Sequence, residues 1–237
     1  MEQLVEWANK YAEQQRERQE QPPNAWVWQP TCKQELYGYL GVLIHMGLTH
    51  KSAIEDYWGS LETTGSEHII KKYISRNRCQ QLDCYFRCTE PWQNDDSMPR
   101  STFDRVANLA KYIRLTCRKL YTPGAHLAVD ETIERFMGRA PEIVNIPSKP
   151  TPEGFKIWVL ANKGYILDWL WHARGNGGPV DLDESFTEDE GFLKMQAVVL
   201  DLITQRDPDT NEPLYPPGKH IVWLNNLFIS VKLLTRL

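Results

Sequence analysis

The chain has few of the residues that staple small extracellular folds. It carries five cysteines, Cys32, Cys79, Cys84, Cys88 and Cys117, an odd number with no paired framework. No secretory signal opens it, and a reducing, intracellular setting is the expectation. Long apolar runs are missing as well. The longest, around Tyr39 to Leu48, is about half of the ~20 residues a bilayer crossing needs, so neither a membrane-spanning helix nor a membrane partner is expected. Cys79, Cys84 and Cys88 lack the C-x-x-C pair and the fourth ligand of a structural zinc site, and read as reduced thiols buried on a helix. The glycine-rich stretch Gly175 to Gly178 is not followed by the Lys-Ser/Thr pair of a phosphate-binding loop. No internal repeat is present.

What remains is the material of a globular protein of 237 residues, 41% hydrophobic, with nine Trp and ten Tyr that read as core rather than as a base-stacking platform. Its net charge of −4 is unevenly spread. Residues 1–32 carry 3 Lys/Arg against 5 Asp/Glu, residues 33–125 carry 13 against 10, and residues 126–237 carry 11 against 16. Only the middle segment is net basic, which is where a polyanion footprint is expected.

The pattern divides the chain at 1–29, 30–125 and 126–237. The first part predicts a polar, peripheral helix with Leu4, Trp7, Ala8 and Tyr11 on one stripe, ended by Pro22 and Pro23. The second is helical. Thr31 is placed to cap a core helix apolar on most sides, Ser66 a short basic helix through Ile74, and Ser75 the next one. Residues 90–100 read as a loop. Phe103, Val106, Ala110, Ile113, Cys117 and Leu120 then recur at helical spacing, with Lys111, Arg114 and Arg118 on another face. That basic face, together with Lys71, Lys72, Arg76 and Arg78, could contact DNA phosphates; a solvated surface is the alternative.

From Leu127 the period becomes extended. Strands are predicted at 127–136, 156–162, 165–173 and 220–224, with a Lys163-Gly164 hairpin turn and a helix at 192–204 before the last strand. A further helical segment starts near Asn226. This order is that of a ribonuclease-H-like core, and the fold class is α+β: a helical N-terminal region followed by an incomplete core of that type. Asp130 lies within the first strand, in an apolar run where burial of a charge is costly. In such a topology it adjoins position 225, at the end of the fourth strand.

Several separated blocks carry a resemblance. LGVLIHMGL is followed by Asp56-Tyr57-Trp58, and SRNR spans Ser75 to Arg78. LAVDETIERFMGR contains Asp130, Glu131, Gly138 and Arg139; Lys149 to Ala161 includes GFKIWVLA; WLNNLFIS runs from Trp223 to Ser230. In order and spacing the sequence resembles the piggyBac family of DNA transposases, including genes derived from such elements, from about Pro30 to its last residue.

The resemblance implies a DDE catalytic domain in which three aspartates hold two Mg²⁺ ions for cut-and-paste transposition at TTAA targets, a DNA partner and a nuclear location. Asp130 matches the first acid and is the metal ligand implied. Asn225 stands at the second, where an amide supplies no negative charge. The third has no counterpart before Leu237, and Asp168, Asp181, Asp183 or Asp201 would have to substitute. Mg²⁺ binding is therefore expected to be weak or absent. By the same resemblance Arg139, Lys149 and Lys156 are further DNA-contact candidates.

The expectation is a transposable-element-derived fragment, inactive in cut-and-paste transposition. Two alternatives stand beside it: a non-catalytic DNA-binding or transposase-partner module, and an active transposase whose full product continues past residue 237. Self-association through an exposed sheet edge is a further expectation.

Overall fold

The computed structural model describes residues 1–18, 27–64, 67–92, 101–173 and 178–237. Two compact units form: Met1–Pro99 with Arg105–Ala107, and Arg100–Asp104 with Asn108–Leu237.

In the first unit, α1 (Glu2–Glu17) buries Ala8 and Ala12, one helical turn apart, so it is part of a core rather than peripheral. Asn9 ties it to the following segment, accepting from Thr31 N at 2.8 Å and donating to Thr31 O at 3.1 Å. Thr31 does not cap α2 (Lys33–Leu48); Cys32 occupies that position, and the Thr31 hydroxyl donates instead to Glu35. Only Leu36, Tyr39 and Val42 are buried on α2, while Tyr37, Ile44 and Leu48 are exposed, so this helix is buried on one face and not on most. A short α3 (Leu61–Thr64) follows, and residues 69–72 form a single 3₁₀ turn where a basic helix was expected. The cap predicted at Ser66 lies outside the described residues. In α4 (Arg76–Tyr85) the predicted cap is present: Ser75 Oγ accepts from Arg78 N at 3.2 Å. Of the three clustered cysteines only Cys79 is buried on this helix; Cys84 is exposed and Cys88 lies beyond its end.

The second unit is a mixed sheet with α5 (Ala107–Leu120), α6 (Ser185–Glu188), α7 (Lys194–Ile203) and α8 (Val231–Arg236). All but the first residue of α5 belong to this unit, not to the helical one the sequence pattern suggested. Ion pairs from Arg114 and Arg118 to Asp168 hold the helix against the sheet. The strands are β1 (His126–Arg135), β2 (Ile143–Asn145), β3 (Glu153–Asn162), β4 (Tyr165–Ala173), β5 (Gly178–Pro179) and β6 (Ile221–Leu224). Their order is β5-β4-β3-β1-β6, with β2 on β3, and β1 and β6 are the parallel pair. The four predicted strands are all present. Lys163 and Gly164 both take positive φ, +50° and +81°, in the tight turn joining β3 to β4. Gly154, the second residue of β3, lies where a side chain would run into the Glu134 carbonyl of β1.

Leu127, Val129, Trp158, Leu160 and Leu170 point to one side of this sheet and pack with α7, whose residues 196–202 are all buried, and with Phe228 and Leu233. Burying side chains of this size contributes about 1.5–3 kcal/mol each and makes this the main core of the unit. On β1 the alternate residues His126, Ala128 and Asp130 face away from it and are exposed.

Candidate functional site

Asp130 is therefore not a buried charge. Strand alternation puts it on the open side of the sheet, and the parallel pairing of Val129 with Leu224 brings position 225 beside it. Asn225 Nδ2 donates to Asp130 Oδ1 at 2.8 Å, and Glu131 N donates to the same oxygen at 2.8 Å. The amide is held in this sense by its own chain, because Asn225 Oδ1 accepts from Leu227 N at 2.9 Å in an Asx turn. The turn occupies one lone pair of that oxygen and fixes the orientation of the amide, whose N–H₂ end faces the carboxylate.

Glu131 completes the group. Its Oε2 lies 3.5 Å from Asn225 Nδ2, and its Oε1 is 2.9 Å from Lys149 Nζ. Burial pushes the Glu131 carboxyl up, but the Lys149 hydrogen bond and the Lys156 and Lys149 charges outweigh it and hold the group below the usual carboxylate range. Lys149 is raised in return by the same hydrogen bond. Lys156 lies 3.9 Å over the Trp158 ring, and its ammonium is lowered by burial, with Glu131 opposing. Two carboxylates and two ammonium groups thus balance one another. Sequence reasoning placed Lys149 and Lys156 toward DNA and missed Glu131 as their partner; its position next to Asp130 was the only signal.

The remaining basic candidates separate into engaged and free. Arg114 Nε lies 2.5 Å from Asp168 Oδ1, and Arg118 Nη2 bonds the other carboxylate oxygen; the Asp168 side chain is fully buried. These two arginines turn inward, so of the predicted phosphate-binding face of α5 only Lys111 remains exposed. Ile113 and Leu120, expected in the core, are exposed in their place. Arg78 is likewise internal, forked onto Glu35 at 2.6 and 2.7 Å and lying over the Trp28 ring. Arg76 pairs with Glu55 at 2.6 Å, and Lys71 with Glu67. Lys72, Lys111 and Arg139 are exposed and make no salt bridge among the described residues. Arg139 lines an open depression of about 490 Å³ beside Gly138 and Glu153.

None of the substitute acids joins Asp130. Asp168 is neutralised by two guanidinium groups. Asp201, pushed up by burial, accepts from Asp183 N and from Gln205 Nε2, each at 2.8 Å. Asp183 accepts from Ser185 N at 3.0 Å, and Asp181 is exposed.

A profile of the family described as Transposase IS4 matches residues 1–237. The chain belongs to the IS4 transposase family. Its fold is similar to that of a piggyBac transposase solved by cryo-EM as a synaptic complex with hairpin DNA, with a TM-score of 0.67 and 22% identity. The match covers 99% of this chain and 44% of that one, so this transposase chain spans less than half the length of the solved relative.

Transposases of this DDE type work with divalent metal ions. The residues at Asp130 do not fit such an ion. A hard dication needs several anionic oxygens on one point. Here the neighbour of Asp130 presents N–H₂, Glu131 is held by Lys149, and no group of three His, Cys, Asp or Glu side chains among the described residues converges as a metal site.

Proposed function

We propose that this protein is a transposable-element-derived member of the IS4 transposase family, of piggyBac type, that binds DNA without cutting or joining it. The observation that carries this reading is the Asn225 Nδ2 to Asp130 Oδ1 hydrogen bond at 2.8 Å. In-line phosphoryl transfer by two metals depends on carboxylates that clamp both ions between the attacking and leaving oxygens. An amide whose oxygen accepts from Leu227 N replaces one of those carboxylates with a donor and satisfies the other without any metal.

DNA as the partner is supported by the similarity to a transposase captured on hairpin DNA and by the net basic segment 33–125. Lys72, Lys111 and Arg139, exposed and outside any described salt bridge, are the side chains assigned to phosphate contact. A nuclear location is proposed on the resemblance to piggyBac transposases alone.

The test is incubation of the purified protein with duplex DNA carrying the element's ends, in Mg²⁺ or Mn²⁺. The expected result is a salt-sensitive complex with intact strands. Cleavage or joining that disappears in Asp130→Ala overturns the reading.

A further inference from the structure

The reverse side of the sheet from Asp130 holds a cavity that the DNA reading does not use. It measures about 430 Å³ and lies between the C-terminal turn of α7, the proline-rich stretch Pro213 to Pro217, β6 and the end of α8. Its inner wall is apolar, with Leu127 and Val222 paired across the parallel strands and Ile203 opposite. Its polar side chains are basic groups and two hydroxyls, those of Thr204 and Tyr215. Arg206, His220 and Arg236 line it, and no Asp or Glu does.

Each basic group has capacity to spare. Arg206 spends Nη1 on the Asn211 carbonyl at 2.7 Å, Arg236 spends Nε on Glu190 at 3.3 Å, and His220 Nδ1 faces the Gly124 carbonyl at 3.1 Å. The second observation is Tyr215. This side chain lines the cavity and is 9% exposed, its ring is edge-on to His220 at 6.0 Å, and its hydroxyl makes no hydrogen bond among the described residues. A phenol that lines the cavity without a protein acceptor has its proton available to an arriving group. Burial pushes the hydroxyl up to about 12, so it is a donor at all physiological pH values.

We propose that this cavity binds an apolar monoanion of the medium-chain carboxylate type. The hydrocarbon body lies against Leu127, Ile203 and Val222, and the carboxylate accepts hydrogen bonds from Tyr215 and Arg206 at the basic end. Size, a mainly apolar lining and a few polar donors are the features of small-ligand sites, and the Arg206 and Arg236 guanidinium groups select an anion over a neutral lipid.

Titration calorimetry of the intact chain with octanoate, and separately with 1-octanol, tests the proposal. One saturable octanoate site is expected, with 1-octanol about tenfold weaker or more. Tyr215→Phe is expected to weaken octanoate about threefold to tenfold by removing one hydrogen bond, and Ile203→Trp to abolish binding by filling the cavity. Arg206→Gln, on an exposed side chain, gives a readout that does not depend on core packing. Equal binding of octanoate and octanol, octanoate binding unchanged in Tyr215→Phe and Arg206→Gln, or no saturable binding at all would each overturn it. DNA affinity is measured on the same variants; the two readings fail independently, because none of these residues is assigned to phosphate.

Discussion

Arg114 on α5 and Asp168 on β4 meet at 2.5 Å, with the aspartate side chain fully buried and Arg118 on its other oxygen. This relationship fixes α5 to the sheet and removes both arginines from the surface that would meet DNA. Removing the acid leaves two largely buried guanidinium groups uncompensated. Asp168→Ala is therefore expected to destabilise the sheet unit by about 3–5 kcal/mol, read as a lower urea midpoint. A loss under about 1 kcal/mol would mean that the arginines relax to solvent.

The Asn225 amide answers the Asp130 carboxylate where a second acid would allow a metal to bind. Asn225→Asp keeps an acceptor for Leu227 N and turns a carboxylate oxygen toward Asp130. Mn²⁺ affinity by calorimetry is expected to rise about tenfold or more over the unchanged protein, and to be lost again in Asp130→Ala/Asn225→Asp. Equal affinities in all three proteins would show that position 225 does not control metal binding.

Phosphate contacts should be separable from structural arginines by salt. Lys111→Ala and Lys72→Ala are each expected to reduce the slope of log K against log salt by about 0.9, with little change in melting temperature. Arg78→Ala, which breaks the fork to Glu35, should instead lower stability and leave the slope unchanged. The opposite assignment of effects would place Arg78 on the DNA and the two lysines outside it.

In the helical unit, His45 Nε2 and His68 Nδ1 lie 2.9 Å apart, one ring donating to the other. Burial, then the charges of Lys51 and His45, hold the His68 imidazole below its ordinary value. With the folded-state pKa depressed, the unfolded chain takes up the proton first as pH falls. The stabilisation is thus present at neutral pH and is lost below about 6.5. Melting temperature should drop between about pH 7.5 and 5.5, and the drop should shrink in His68→Gln. An identical pH profile in that variant would exclude the pair as its source.

The four main strands, the Lys163-Gly164 turn and the Ser75 cap were legible because alternation, positive-φ turn residues and capping hydroxyls act over a few neighbouring residues. The three-residue β2 was not, since so short a segment has no period to read. The expected topology also set Asp130 beside Asn225, because a fourth strand laid parallel to the first brings the middle of one next to the end of the other.

Periodicity could not say which face of α5 turns inward. Its apolar stripe and its arginines were both visible, but the choice depended on Asp168, 54 residues from Arg114 in sequence and fully buried in the sheet. The same limit applied to Arg78 with Glu35 and to Lys149 with Glu131. Sequence by itself carried the family resemblance, the four main strands and the substitution at position 225, which are properties of local pattern. The tertiary structure decided which charges are spent inside the protein and which remain to meet a partner, because an ion pair depends on which faces are brought together, and no short stretch of chain contains that information.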